Sequence, residues 1–407
     1  MNDSVLGCKS NMGKQPGLTN HPASNIDDSK ARIFISGLVY DNGKSGIAEY
    51  THSLTRSLIK DREVTIALLM KDAEIFPVRS KNLKIVVVPN VFSSSFFNIL
   101  WHLLFLPFYI RWTGCHSLIM PALNRRMPLW TGVPVLGIVH DLSQFTVTGK
   151  YDVFRMFYVM HVLPRLLYFV DDVIAISECT KEAIIQHWKL NEKEVAVCYN
   201  GYDRDRFHSK TPANQSLVLK KYDLTMPYIL YVSRIEHPGK NHIELIKAFE
   251  LLSSELSKEY QIVFAGSRWS GAEYVLEAIE ASPLRERFRV LDYVPAAELP
   301  ALYHGATAVV FPSLAEGFGI PLVEAMACGT PTLCSNRSAL QEVVGNAGVT
   351  FDPENAVDIC EKIQHILNSK RTQRKFIAKG FNRCRRYSWD RVAKTILITL
   401  NNRPLKV

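Results

Sequence analysis

From Arg32 onward, short β-branched apolar runs alternate with amphipathic helical stretches, in two blocks, and no other feature narrows the fold of this 407-residue chain as far. The first block places strands at 33–36, 64–69, 85–88, 117–120, 135–139, 173–176 and 195–198, with helical patterns at 47–60, 151–169 and 180–188. The alternation lapses over 203–227, a polar stretch carrying Pro212 and Pro227. It resumes at 228–232, 262–265, 289–291, 308–311, 332–334 and 349–351. Strand–helix alternation in two blocks predicts an α/β protein of two parallel-sheet domains, each with helices on both faces. Ligands of such sheets sit at the carboxyl ends of the strands, so two sheets can face each other across a cleft. The expected partition is a disordered extension over 1–30, a first domain over 31–205, a linker over 206–227 and a second domain over 228–387. A terminal helix over 388–407 then packs back on the first domain.

Composition narrows the partners only a little. There are 48 basic and 39 acidic residues, for a net charge of +9, which suits an anionic partner: nucleotide, nucleic acid or membrane surface. Nucleic acid is the weakest of these, because the basic residues are not interleaved with aromatics on an evident binding module. The eight cysteines are scattered without a CxxC pair and read as reduced, mostly buried thiols of a cytoplasmic protein. The segment 370–391 holds nine Lys or Arg against Asp390 alone. That pattern is either a solvated helical surface or an electropositive face. The most apolar run, 96–110, has only fifteen residues and is interrupted by Asn98, His102 and Pro107, too short to span a bilayer.

The stretch ISGLVYDNGKSGIAEYTHSL (35–54) ends its turn with Gly43-Lys44-Ser45, as a phosphate-binding P-loop would. That motif needs glycine where Leu38 stands, so the stretch reads instead as the strand, glycine turn and helix of a nucleotide-type βα unit. Gly43 and Gly46 are expected to keep side chains clear of a substrate. Lys44 is expected to be a solvated loop residue, with contact to an anion as the alternative.

FPSLAEGFGIPLVEAMACGTP (311–331) is richer in chemistry. A buried strand ends at Phe311, Gly317 and Gly319 flank Phe318, and Pro321 opens a helix, a position that suits proline. The glycines let backbone N–H groups approach an anion at the positive end of the helix. Glu316 and Glu324, eight apart, bracket that anion site and suit acceptance from sugar hydroxyls on either side of a diphosphate. Arg234 and Lys240 directly follow the 228–232 strand and so sit where the cleft should be. Negative charge builds on a departing pyrophosphate, and these two cations with the helix N-terminus can meet it.

The 311–331 stretch resembles the E-x7-E signature of retaining glycosyltransferases of the GT-B fold, most closely family 4. The resemblance covers nearly all of 32–400. YVSRIEHPGKNHIELIKAF (231–249) resembles the family's first C-terminal strand with its phosphate-binding Arg and Lys, here Arg234 and Lys240. GIVHDLSQF (137–145) resembles its His-Asp element, which places His140 near the donor sugar. VIAISECTKEAI and CYNGYDRDRF resemble the elements that close the first domain. The resemblance implies two Rossmann-like domains facing a central cleft, the first binding acceptor and the second a nucleotide sugar.

It implies a hexosyltransferase acting with retention and without a metal or cofactor. Arg234, Lys240, Glu316 and His140 are the catalytic candidates; Gly46, Gly317, Phe318, Gly319, Ile320 and Glu324 are the donor-binding ones, Glu324 at the ribose. The first expectation for the donor is GDP-mannose, and the alternative is UDP-linked glucose or N-acetylhexosamine. The acceptor is expected to be a growing polysaccharide, such as bacterial O-antigen or lipopolysaccharide, free or lipid-linked. A sugar-nucleotide 2-epimerase and an inactive scaffold are the remaining alternatives. Asp203-Arg204-Asp205 resembles a metal-binding DxD but follows Asn200-Gly201-Tyr202 at the linker, so turn and cap roles are expected. His237 and His242 lack a third ligand for zinc.

Two stretches, 96–112 and 154–170, are rich in Phe, Tyr, Trp, Leu and basic residues. They are expected to be core-facing helices. The alternative is an interfacial helix that docks the first domain on an anionic membrane, on the inner face of the cytoplasmic membrane.

Overall fold

The computed structural model describes residues 31–43, 45–142 and 158–402. Lys44, the 1–30 extension and the first half of the 151–169 helical pattern lie outside them.

The first block supplies β1 (Ile33–Ser36), β2 (Val64–Leu69), β3 (Leu83–Val88), β4 (Ser117–Met120), β5 (Val135–Val139), β6 (Asp172–Ala175) and β7 (Val195–Val197). The second supplies β8 (Tyr228–Val232), β9 (Gln261–Ala265), β10 (Phe288–Val290), β11 (Ala308–Phe311), β12 (Thr332–Ser335) and β13 (Val349–Phe351). Every strand expected from the sequence is present, within two residues at each end. Among the described residues they form two all-parallel sheets, ordered β3-β2-β1-β4-β5-β6-β7 and β10-β9-β8-β11-β12-β13. β1, β2, β4, β5, β8, β9, β11 and β12 are almost entirely buried, as parallel strands covered on both faces must be. Both sheets reverse strand order once, between β1 and β4 and between β8 and β11. Chain segments leaving the carboxyl ends of those neighbours diverge to opposite faces, which opens a crevice at each reversal. The two crevices face one another.

Several elements tie the halves together. The terminal helix Trp389–Asn401 lies against the helix Gly46–Leu58 of the first domain, with Trp389 edge-on to Tyr50 at 5.1 Å. Lys60 pairs with Asp390 at 2.7 Å, an exposed contact that contributes little to stability. Across the same divide, the N–H groups of Glu178 and Cys179 donate to the carboxylate of Glu342 at 2.8 and 3.3 Å. A second-domain side chain thus caps the first-domain helix Glu178–Trp188 at its positive end.

Two expectations change. The 206–227 linker contains a helix, Gln215–Lys221, and buries Phe207, Val218 and Leu224. Its seven helical residues are too few to show a sequence period, and packing holds them. The 96–112 stretch is only half a core helix. It forms a continuous helical segment from Ser95 to Thr113 with a π-turn, Trp101–Phe105, in the middle. Asn98, Trp101, His102, Leu106 and Ile110 are buried, but Phe108 and Trp112 are 73% and 77% exposed. A second π-turn, Tyr158–Val162, precedes Leu163-Pro164 as the first precedes Leu106-Pro107. Proline removes a helical N–H and crowds the carbonyl four residues back, and the wider turn relieves both. No described helix is long and apolar enough to cross a membrane.

Candidate active site between the domains

The crevices meet in a cleft of about 470 Å³. It is lined from the first domain by the turn after β1, the loop after β4, His140 and Asp141 after β5, and Asn200 after β7. The second domain contributes the segments after β8, β9 and β11.

The β11 loop sits at the centre. Gly319 has φ +92°, a left-handed conformation that glycine adopts without strain, and it turns the chain into the helix Ile320–Ala327 with Pro321 in its first turn. Pro321 has no N–H and the Leu322 N–H donates to the Gly319 carbonyl at 3.0 Å, so Ile320 supplies the first-turn N–H that borders the cleft. Gly317 lies against the opposite domain: a Cβ there would stand 1.7 Å from the His140 carbonyl oxygen. Only glycine permits this approach of the two backbones. Phe318 borders the cleft, but its ring is buried edge-on to Tyr387 at 5.3 Å, in the core between the domains. Its side chain is therefore structural.

Arg234 and Lys240 reach the cleft from the segment after β8. Lys240 pairs with Glu316 at 2.5 Å, both about one-sixth exposed. The Lys240 carbonyl accepts from the Tyr231 hydroxyl, 2.8 Å away, which anchors the loop to β8. Arg234 pairs with Glu236 at 3.0 Å and lies over the Trp269 ring, 5.0 Å from its centroid. On its second-domain side the cleft lining thus holds two cations and one carboxylate, beside a helix N-terminus.

His140 faces them from the first domain. It is nearly buried, its Nε2–H donates to the Pro121 carbonyl at 2.7 Å, and the Tyr50 ring stands edge-on at 4.7 Å. Burial pushes its pKa down to about 4. At neutral pH the imidazole is uncharged, with its accepting lone pair on Nδ1.

Gly46, Ile320, Arg234, Lys240, Glu316, His140, Gly317, Phe318 and Gly319 all border this cleft. Glu324 is the exception. On the second turn of its helix, its carboxylate accepts from the Tyr303 hydroxyl at 2.8 Å and lies outside the cleft lining. Although the residue keeps some surface, the carboxyl group is enclosed, and burial raises its pKa to about 8. The turn after β1 also departs from expectation. Gly43 is in the left-handed region at φ +73°, which favours glycine, whereas Gly46 borders the cleft with open space where a Cβ would stand.

Asn124 and Arg125, in the loop after β4, were not singled out from the sequence but line the cleft. Asn124 donates to the Asp141 carbonyl at 2.9 Å and so braces the loop after β5. Their signal was available: both directly follow an expected strand, at the end where a crevice forms. Asp203 accepts from the N–H groups of Asp205 and Arg206 at 3.1 Å, and Arg204 donates to the carbonyls of Arg385 and Tyr387. That triplet is a turn and a strap. His242 is fully buried against Tyr231. Among the described residues, no three His, Cys, Asp or Glu side chains converge as a metal site would require.

Two family profiles match the chain in tandem, Glycosyltransferase Family 4 over residues 44–206 and Glycosyl transferases group 1 over 220–383. O-antigen chain mannosyltransferase B of Escherichia coli is 31% identical over 62% of this chain and 66% of its own length. The serotype-specific mannosyltransferase WbdA of the same species is 31% identical over 63% of this chain but only 32% of its own length. The Anabaena protein Alr3699/HepE, solved in complex with UDP-glucose, superposes with a TM-score of 0.72 at 16% identity. That match covers 91% of this chain and all of the other.

Proposed function

This chain belongs to the GT-B glycosyltransferases, with a family 4 first half and a group 1 second half, and from that premise we propose that it transfers a hexose, with retention, from a nucleotide sugar to a growing glycan. The single observation that carries the reading is the pairing of Arg234 and Lys240 with the open helix N-terminus at Gly319–Pro321 in one interdomain cleft. Bond cleavage in the donor leaves a nucleoside diphosphate, and these groups are placed to receive its charge. In the unliganded cleft Lys240 is held by Glu316; an incoming pyrophosphate would take over the lysine and free the carboxylate to accept from sugar hydroxyls. Removing one preorganised donor of this kind lowers turnover by about 10²–10³.

His140, uncharged and accepting through Nδ1, is suited to hold a sugar hydroxyl. The Gly317 approach brings the domains together over the donor and excludes the water that would hydrolyse it. No carboxylate is an evident covalent nucleophile, so front-face attack assisted by the leaving diphosphate is the favoured course. The cations of the chain itself fill the place of a metal in this scheme. Tyr303 holds Oε2 of Glu324, and a ribose hydroxyl would be met through Oε1.

GDP-mannose is the favoured donor, because both Escherichia coli relatives carry mannosyltransferase names. UDP-glucose is the second reading, favoured by the fold neighbour solved with that ligand. A panel of nucleotide sugars, scored by calorimetry and by slow hydrolysis, tests the proposal. The expected result is one donor binding far below millimolar, with binding weakened and turnover lost in Arg234→Ala and Lys240→Ala. If no nucleotide sugar binds the folded protein better than millimolar, the reading fails.

A further inference from the structure

The two walls of the cleft differ in hydrogen-bonding character. The second domain supplies mostly donors, Arg234, Lys240 and the helix N-terminus, which the proposed function assigns to the diphosphate. The first-domain wall supplies oxygen atoms. Asp41 comes from the turn after β1, Asn124 from the loop after β4, Asp141 from the loop after β5 and Asn200 from the segment after β7. Among the described residues, Arg125 is the one cation that lines the cleft beside them.

Two of these oxygens are unclaimed. Asn200 is only 2% exposed, and its Oδ1 has no hydrogen-bond partner among the described residues. Oδ1 of Asn124 is likewise buried without a partner, while Nδ2 of the same amide donates to the Asp141 carbonyl at 2.9 Å and so fixes which end is open. Buried polar oxygens are seldom left without a donor, and a ligand rich in hydroxyl groups supplies one. The turn that presents Asp41 is held against its own preference. Asp41, Asn42 and Gly43 are all left-handed, at φ +55°, +52° and +73°. Asp72, fully buried, accepts from the Asn42 N–H at 2.8 Å and fixes the turn from beneath. Non-glycine residues keep such conformations where the surrounding structure imposes them, and such strain clusters at ligand sites.

We propose that this wall selects an uncharged sugar at the growing end of the acceptor glycan, whose hydroxyls donate to Asp41, Asn124 and Asn200. The inference rests on the donor reading of the opposite wall. A sugar hydroxyl has a proton to give to each of these oxygens. A fully ionised phosphate or carboxylate substituent has none and brings like charge to Asp41 and Asp141. Phosphorylated sugars and uronic acids are therefore rejected, and Asp72 acts as a positioning residue behind the turn.

Saturation-transfer NMR on the full chain, with and without GDP or UDP, tests this with matched ligands. These are neutral disaccharides ending in mannose, glucose or galactose, and the same disaccharides oxidised at the primary alcohol of the terminal sugar to the uronic acid. At least one neutral disaccharide is expected to bind about tenfold or more tightly than its charged counterpart. Asp41→Asn keeps a residue type that tolerates the left-handed backbone and should narrow that ratio about fivefold or more. Asn200→Ala should weaken neutral-sugar binding about fivefold. Should that buried variant melt lower, Asp41→Asn, at an exposed position, decides. Nucleotide-sugar affinity, read by calorimetry on the same samples, should hold in both variants. Equal or tighter binding of the charged counterpart, an unchanged ratio in Asp41→Asn, or no saturation of any neutral disaccharide overturns the proposal. These outcomes are distinct from failure of the donor reading, which shows as a folded protein that binds no nucleotide sugar.

Discussion

Replacing Gly317 by alanine probes a point where the two domains meet backbone to backbone. The added methyl would sit 1.7 Å from the His140 carbonyl oxygen and 3.1 Å from Asp141 Cβ. An ordinary C···O contact is roughly 3.3 Å, so the β11 loop and the β5 end must part by roughly 1.6 Å. Overpacking of this kind costs about 1–3 kcal/mol. Neither partner is the end of a flexible side chain, so the strain cannot be relieved by a rotamer change. It can be relieved by opening the cleft, and the cost then falls on the closed form and not on either folded domain. A bias of that size shifts the closed-to-open ratio about 5–150-fold. The expected result is near-native far-UV circular dichroism and melting temperature, a larger radius of gyration by small-angle X-ray scattering, and kcat/KM lowered within that range. A variant with native kcat/KM and native scattering would refute the idea that this contact closes the site. A large fall in melting temperature would place the strain inside the second domain instead.

Gly46→Ala is the complementary change. Nothing lies within 4 Å of the added Cβ, so stability should hold or rise by about 0.4–1 kcal/mol in a melt. Activity should still fall by about ten- to a hundredfold if substrate fills that space, and a fully active variant would exclude Gly46 from the site. Glu342→Ala removes the acceptor of the first two N–H groups of the Glu178–Trp188 helix while leaving its Ser177 cap, and should cost about 0.5–2 kcal/mol, read by chemical denaturation. The pH dependence of stability has two opposed arms. Burial holds His140 to about 4 and His102 and His242 to about 3, so the unfolded chain binds protons that the folded one refuses. Stability should therefore fall as pH drops below 6.5, by at most about 1.4 kcal/mol per pH unit per histidine. Glu324, raised by burial to about 8, acts in the other sense. Its contribution is full below about 4.5, is lost progressively as pH rises from there, and is gone above about 8. Calorimetric melts from pH 4 to 9 should show the two slopes opposing one another between about 4.5 and 6.5 and the Glu324 slope from there to about 8, and Glu324→Gln should remove the latter; an unchanged slope between about 6.5 and 8 would mean Glu324 is not buried as described.

The strands and their order of appearance were legible in the sequence, because a parallel strand covered on both faces must be apolar along its whole length. So was the neighbourhood of the cleft, since Arg234, Lys240, His140 and Glu316 directly follow such strands and can lie nowhere but at their carboxyl ends. What the chain could not show by itself is which of these side chains touch. Lys240 and Glu316 stand 76 positions apart, and only the reversal of strand order between β8 and β11 brings them to 2.5 Å. The enclosure of Glu324 by Tyr303, the burial of the Phe318 ring and the approach of Gly317 to His140 are likewise products of packing between distant elements. The same holds for the 95–113 segment, whose composition fits a core helix and a surface helix equally well. Periodicity reports that a face is apolar; whether protein or solvent lies against it is decided by the number of layers the fold supplies, and the described residues of the first domain supply none beyond that helix.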